Sequence, residues 1–238
     1  MTESRTDHKK GRRAGRPTAP VLDRARIADA ALALVTDEGQ RRLTMKRLAD
    51  RLGVSVSALY NHITNKADLL LLVEDAVMSG VDASALGSLV RTPGPAATAD
   101  LPDALRHWAC SYRDVFAAFP ELVPLIATMP VSGAPATRQM YDTVAGGLLA
   151  AGVPDDRVVS VVIAFESFLY GSAMDANAPT EIFSSAPEEE DAPTFQRVVR
   201  TFTARVTDRP VGTVNPYADD PFEWGLEALI GRTVALAG

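Results

Sequence analysis

The chain is almost without cysteine: Cys110 is the only one in 238 residues. A lone thiol excludes an intrachain disulfide and any multi-cysteine zinc site. No apolar run approaches the roughly 20 residues that span a bilayer. The first residues are polar and basic, where a secretory signal would be apolar. Histidine is scarce too, and beyond residue 70 His107 stands alone. An enzyme needs a nucleophile or an acid/base cluster. The best pair on offer is His107 with Cys110, on successive turns of one helix and with no third group to orient them. These absences predict a soluble cytoplasmic protein that is not an enzyme and carries no cofactor and no metal. The hydrophobic content of 47% is ample for a core.

The net charge of −6 hides a division. Residues 1–70 carry 14 Lys and Arg against 8 Asp and Glu, a net +6. The rest carries 10 against 22, a net −12. A basic end on an acidic body points to nucleic acid at that end and repulsion from it elsewhere.

Within the basic end, Thr44 to Lys66 organises everything else. Thr44 is a natural N-cap. Leu48, Ala49 and Leu52 share one helical face. Gly53 suits the positive φ at which a helix stops. Val54 fills the corner, and Ser55 caps a second helix from Val56 to about Ile63. Two helices across a Gly turn form a helix-turn-helix, whose second helix enters the DNA major groove. That helix presents Ser55, Ser57, Ala58, Tyr60, Asn61 and His62, short or hydrogen-bonding side chains suited to base edges and phosphates.

Leu-Ala-x-x-Leu-Gly-Val-Ser-x-x-x-Leu-Tyr-x-His-x-x-x-Lys, Leu48 to Lys66 here, resembles the TetR family of dimeric transcriptional repressors, nearest to its tetracycline-repressor branch. The resemblance implies phosphate contacts from Tyr60, His62 and Lys66, and base contacts from or near Ser55, Val56, Ser57, Ala58 and Asn61. Thr44 and Lys46 also face DNA by the same resemblance. Val56 stands where the tetracycline class has a base-reading glutamine, and Asn61 where it has a tryptophan, so a different operator sequence is expected.

The chain then divides into a basic arm (1–20), a helix-turn-helix domain (21–67) and a helical bundle for ligand binding and dimerisation (68–238), an all-α fold. Lys9, Lys10, Arg12, Arg13 and Arg16 in the arm either enter a minor groove through Ala14–Pro17 or only add phosphate attraction. Asp23 to Glu38 is the first helix, with Ile27, Ala30, Ala31, Leu34 and Val35 as its stripe, and Arg24 and Arg26 near its start lie close to the expected path of the phosphates. Asn65 caps a fourth helix running from Lys66 into the eighties. A Pro/Gly loop over 91–100 precedes helices over about 102–118, 121–127, 134–151 and 155–174. An acidic, proline-containing loop over 175–193 leads to a helix over 194–206. A second loop, over 207–220, leads to a last helix over 222–237.

Phe222-Glu223-Trp224-Gly225-Leu226 resembles the C-terminal helix of tetracycline-repressor-like regulatory domains. In that branch the long apolar helix and the last helix pair with their copies as a four-helix dimer interface, which implies Val158, Val162, Phe165, Leu169, Phe222, Leu226, Leu229 and Ile230; ordinary monomer core is the other reading of these apolar helices. A dimer places two recognition helices on a palindromic operator. A small-molecule effector, largely apolar, is expected inside the bundle, with candidates Met78, Trp108, Tyr112, Phe116, Met129, Met140, Phe165 and Phe168. Asp82 takes the position of the tetracycline class's drug-contacting histidine, so neither tetracycline nor magnesium is expected. Regulation without an effector, or activation, is the alternative.

Overall fold

The computed structural model describes residues 22–179, 192–207 and 215–238, which form eleven α-helices and no strand. The basic arm and most of the loop over 175–193 lie outside the described residues.

α1 (Arg24–Glu38) starts at Asp23, whose carboxylate accepts from Arg26 N, and ends at Gly39, φ +83°. Ile27, Ala31, Leu34 and Val35 are buried, while Ala30 stays half-exposed. α2 (Met45–Leu52) is capped by Thr44 and closed by Gly53, the left-handed residue the turn needs at φ +68°. α3 spans only Val56–Tyr60, shorter than expected. The chain must straighten at Asn65, φ −162°, so that Asn65 Oδ1 can accept from Asp68 N and start α4 (Lys66–Met78). Asp68 answers by accepting from Thr64 N at 2.8 Å, a variant of the capping box.

α4 stops at Met78 and does not run into the eighties. After Ser79-Gly80 the backbone turns, and Asp82 Oδ1 accepts from Ser84 N to open α5 (Ser84–Leu89), a helix the sequence reading missed. α6 (Pro95–Ala117) and α11 (Pro216–Ala237) begin earlier than expected and carry Pro102 and Pro221 inside. Gly94-Pro95 and Asn215-Pro216 are the stronger start signals, since proline at the first helical position loses nothing. An internal proline forfeits only one bond within a helix otherwise secured by packing.

A 3-10 turn, Pro120–Leu122, leads into α7 (Val123–Ile126). α8 (Pro135–Ala150), α9 (Asp155–Asp175) and α10 (Pro193–Thr207) complete the body. α6 is its axis, packed by α5, α9 and α11, while α8 bridges α4, α5 and α9. α9 is long and apolar enough to cross a membrane, contrary to the expectation that no run comes near that length. Asp155, Asp156, Arg157 and Glu166 interrupt it, and it packs against α6, α8 and α11.

Candidate nucleic-acid interface and bundle cavity

The head is held by its caps and by one clasp. Arg24 of α1 donates to the His62 carbonyl at 2.6 Å and pairs with Asp68 at 2.8 Å. Its hydrogen bond to Asp68 raises the guanidinium further and lowers the carboxyl. Arg24 therefore ties α1 to the start of α4, a structural duty the sequence reading did not give it. Arg47–Glu38 and Arg51–Asp37 pairs join α2 to α1 on the surface.

Around this frame Thr44, Lys46, Ser55, Ser57, Tyr60, Asn61 and Lys66 are exposed, with Val56, Ala58 and His62 half-buried. Leu59 and Ile63 are buried. Thr44 and Ser55 each use a hydroxyl oxygen to cap a helix, accepting from Arg47 N at 3.3 Å and Ala58 N at 3.2 Å. Each hydroxyl proton remains free to be donated outward. Lys66 opens α4, where its charge and unsatisfied amides coincide.

In the body a cavity of about 410 Å³ opens between α4, α7, α8 and α9, within the range of small-molecule pockets. Of the expected lining residues, Met78 and Met129 line it. Trp108, Tyr112, Phe116 and Phe165 do not; each is fully buried in an aromatic core behind it. Tyr112 stacks on Phe116 at 4.9 Å, and Trp108 lies 5.6 Å from Phe165. Met140 is buried in α8, and Phe168 stacks on Phe222 at 5.8 Å, both off the cavity. Helical spacing finds apolar side chains but not the boundary between solid core and void.

The polar lining was missed altogether. Glu74, Tyr141, Glu166 and Tyr170 face the cavity. Glu166 Oε1 accepts from Tyr141 at 2.5 Å and from Tyr112 at 2.9 Å. The Tyr112 hydroxyl also lies 2.9 Å from that of Tyr170. Burial, then the Glu166 charge, raises all three phenols, Tyr170 to about 12, so each keeps its proton. Burial raises Glu166 as well, against the two hydrogen bonds that favour its charge. Glu74 is 3% exposed, and burial with the neighbouring Asp75 pushes it up to about 7. A signal for the two glutamates was legible: each follows directly on apolar residues in an apolar helix.

Residues 94–231 match the family described as tetracyclin repressor-like, C-terminal domain, and residues 27–73 match bacterial regulatory proteins, tetR family. The chain belongs to the TetR family. It is 28% identical over 226 residues to an HTH-type transcriptional regulator of Saccharopolyspora erythraea, covering 93% of this chain and 88% of that one. Over 212 residues it is 28% identical to the tetracycline repressor protein class C of Escherichia coli, covering 88% and 90%. The solved structure of the Streptomyces coelicolor TetR family protein ActR in complex with (S)-DNPA superposes with a TM-score of 0.64 at 25% identity, over 92% of this chain and 100% of that chain.

Two features of this TetR-family regulator depart from the sequence reading. Val158, Val162, Phe165, Leu169, Phe222, Leu226 and Ile230 are buried within the single chain, and Leu229 is half-buried. A partner cannot reach the buried ones without repacking. The outward stripe is instead Ser160, Ala164, Ser167 and Gly171 on α9 with Trp224, Ala228, Gly231 and Ala235 on α11. Apolar residues lie on more than one side of α9, so periodicity could not choose the outward one. Asp82 lies beyond α4, off the cavity, its carboxyl held near 2 by bonds from Ser84 and His107. His107 Nε2 sits 2.8 Å from Asp82 Oδ2, which engages it away from Cys110, and burial raises the Cys110 thiol.

Glu74 makes stability depend on pH. Its folded carboxyl binds a proton more tightly than the ordinary 4.5 of the open chain. Its favourable contribution is therefore complete below about pH 4.5 and lost as pH rises through about 7. Between pH 5 and pH 8 the loss is about 2–3 kcal/mol, so the ligand-free melting temperature should fall by roughly 5–10 °C on this account. Glu74→Gln should flatten that slope in scanning calorimetry at several pH values. Parallel wild-type and variant profiles would refute the assignment.

Proposed function

We propose that this regulator is a homodimeric repressor, held on a palindromic operator by Ser55–His62 and Lys66 and released when a small molecule fills the α4–α8–α9 cavity. The observation that carries the reading is the span of α4. Its first residue, Lys66, stands at the exposed surface of the head beside the Arg24–Asp68 clasp, and its last turns place Glu74 and Met78 in the cavity wall. One rigid rod of roughly 20 Å joins the two sites. A ligand that favours one tilt of α4 changes the separation of the two heads by no more than its preference for that tilt allows. The (S)-DNPA complex of the similar ActR supports a ligand in this fold. Ser57, Asn61 and the protons of Ser55 and Thr44 read bases, while Tyr60, His62, Lys66 and Lys46 hold phosphates. The second copy docks on the outward α9–α11 stripe, where Trp224 is 76% exposed beside small residues.

Selection of bound fragments from a genomic DNA library, followed by footprinting, tests the reading. A protected inverted repeat with steep salt dependence is expected. Uniform weak binding to every fragment would refute it.

A further inference from the structure

The cavity's charge is one-sided. Among its lining residues there is no Lys, Arg or His, but there are two carboxyls, Glu74 and Glu166. Glu166 has hydroxyl partners in Tyr141 and Tyr112. Glu74 does not: its Oε2 is buried and receives no hydrogen bond. A buried carboxylate without a partner is costly, and a cation is what offsets that cost. The remaining wall is apolar, from residues such as Ile126, Val158 and Val162, and aromatic, from Tyr141 and Tyr170. Aromatic faces also attract cations.

We propose that the cavity binds an amphipathic organic cation, an aromatic or alicyclic body bearing one ammonium group that pairs with Glu74 on the side of the cavity shared with Glu166. The proposal rests on reading this cavity as the effector site. An anion would meet two acids and no counter-charge. A bare metal ion lacks donors, because no group of three His, Cys, Asp or Glu side chains is assembled among the described residues.

The groups facing Glu74 leave its charge without a counter-ion in the protein. On α4 itself Asp75 adds repulsion while accepting from Thr137 N at 3.0 Å. α8 offers Tyr141 and α9 offers Tyr170, both phenols that keep their protons, and α9 also offers the acid Glu166, which burial raises; none of them is a cation. α6 offers Tyr112 behind them. Arg24 of α1, which reaches α4, is engaged with Asp68 at the opposite end. α7, Val123–Ile126, carries no charge. Ionisation of Glu74 near pH 7 therefore creates the binding form.

The test uses the full chain without DNA and two probes of one shape: (2-naphthylmethyl)trimethylammonium and its uncharged carbon isostere, 2-neopentylnaphthalene. Calorimetric titration at pH 8 should show the cation bound at least about tenfold more tightly than the isostere. The cation's own charge does not titrate, so tightening from pH 6 to pH 8 belongs to the protein, and the isostere should show none. Glu74→Gln should abolish the preference for the cation and leave the isostere's affinity within about twofold. Equal binding of the two probes, or a wild-type preference that does not change with pH, would overturn the proposal. The wild-type pH series decides even where the variant folds poorly. A protein that binds the cation in this pattern yet keeps its operator upholds the inference and sinks only the release mechanism.

Discussion

Replacing Tyr60 and Lys66 together by alanine will weaken operator binding by about 100-fold or more while leaving the head folded. Tyr60 is 54% exposed at the end of α3, and Lys66 is exposed at the start of α4. Neither belongs to the buried cluster of Leu48, Leu59 and Ile63 that holds the head together. What they offer is external: a phenol and an ammonium beside the free amides of α4. A charge-assisted phosphate bond contributes about 1.5–3 kcal/mol, and roughly 1.4 kcal/mol is tenfold. Two such contacts therefore account for two decades or more. Loss of Lys66 should also lower the slope of log affinity against log salt by about one. Mobility-shift titrations at two salt concentrations, with melting curves alongside, measure both. A loss below threefold with an unchanged salt slope would mean that this surface does not face DNA. Leu59→Ala is the contrasting change: it should cost about 2–5 kcal/mol of stability and lose binding by unfolding the head.

The contrast between those two kinds of residue shows why the head was legible in the sequence. Its determinants are local. Thr44, Ser55 and Asn65 each cap the helix that follows them within three residues, and Gly53 supplies the one backbone shape the turn requires. A side chain acting on its own neighbours leaves its signature in spacing. The Arg24–Asp68 clasp is different, because its partners are 44 residues apart and nothing in their spacing couples them.

The body was legible only as helices. Its cavity exists because α4, α7, α8 and α9 fail to close on one another, and a void leaves no residue pattern. Trp108, Tyr112 and Phe116 were reasonable pocket candidates by type, yet they fill the core at 0% exposure. The same non-local limit applied to which side of α9 is left outward. Val158 and Val159 are neighbours of identical type, one 6% and the other 68% exposed. Only the placement of α6 and α11 decides which of them faces inward. What the sequence did carry, unread, was polarity out of context: Glu166 amid Phe165, Phe168 and Leu169, and Glu74 after Leu70, Leu71, Leu72 and Val73. A charged residue kept on the apolar side of a helix marks a place where burial alone is not the purpose.

Gly147→Ala is expected to destabilise the body, and its sign runs against helix propensity. Alanine in place of glycine within a helix ordinarily gains roughly 0.5–1 kcal/mol. At Gly147, however, a methyl group would lie 2.6 Å from the Leu86 carbonyl oxygen and 2.9 Å from the Leu86 carbonyl carbon. These are backbone atoms of α5 and cannot rotate aside. α8 and α5 must then separate, opening the packing around the buried Leu86, Val144 and Leu148. Overpacking of this kind costs about 1–3 kcal/mol, and the melting temperature should drop by roughly 2–12 °C. Gly146 is the internal control: there the nearest atom is the Val90 Cγ2 methyl at 3.3 Å. Val90 is 52% exposed and can yield, so Gly146→Ala should be neutral or mildly stabilising. The consequence reaches function, because α8 also bears Tyr141 in the cavity wall and Thr137, whose amide donates to Asp75 of α4. Displacing α8 loosens that tie to α4, so on the proposed release mechanism Gly147→Ala should blunt the response of operator binding to a cavity ligand even at temperatures where the protein stays folded. A melting temperature for Gly147→Ala equal to or above that of Gly146→Ala would show that α5 and α8 do not meet backbone to side chain as described.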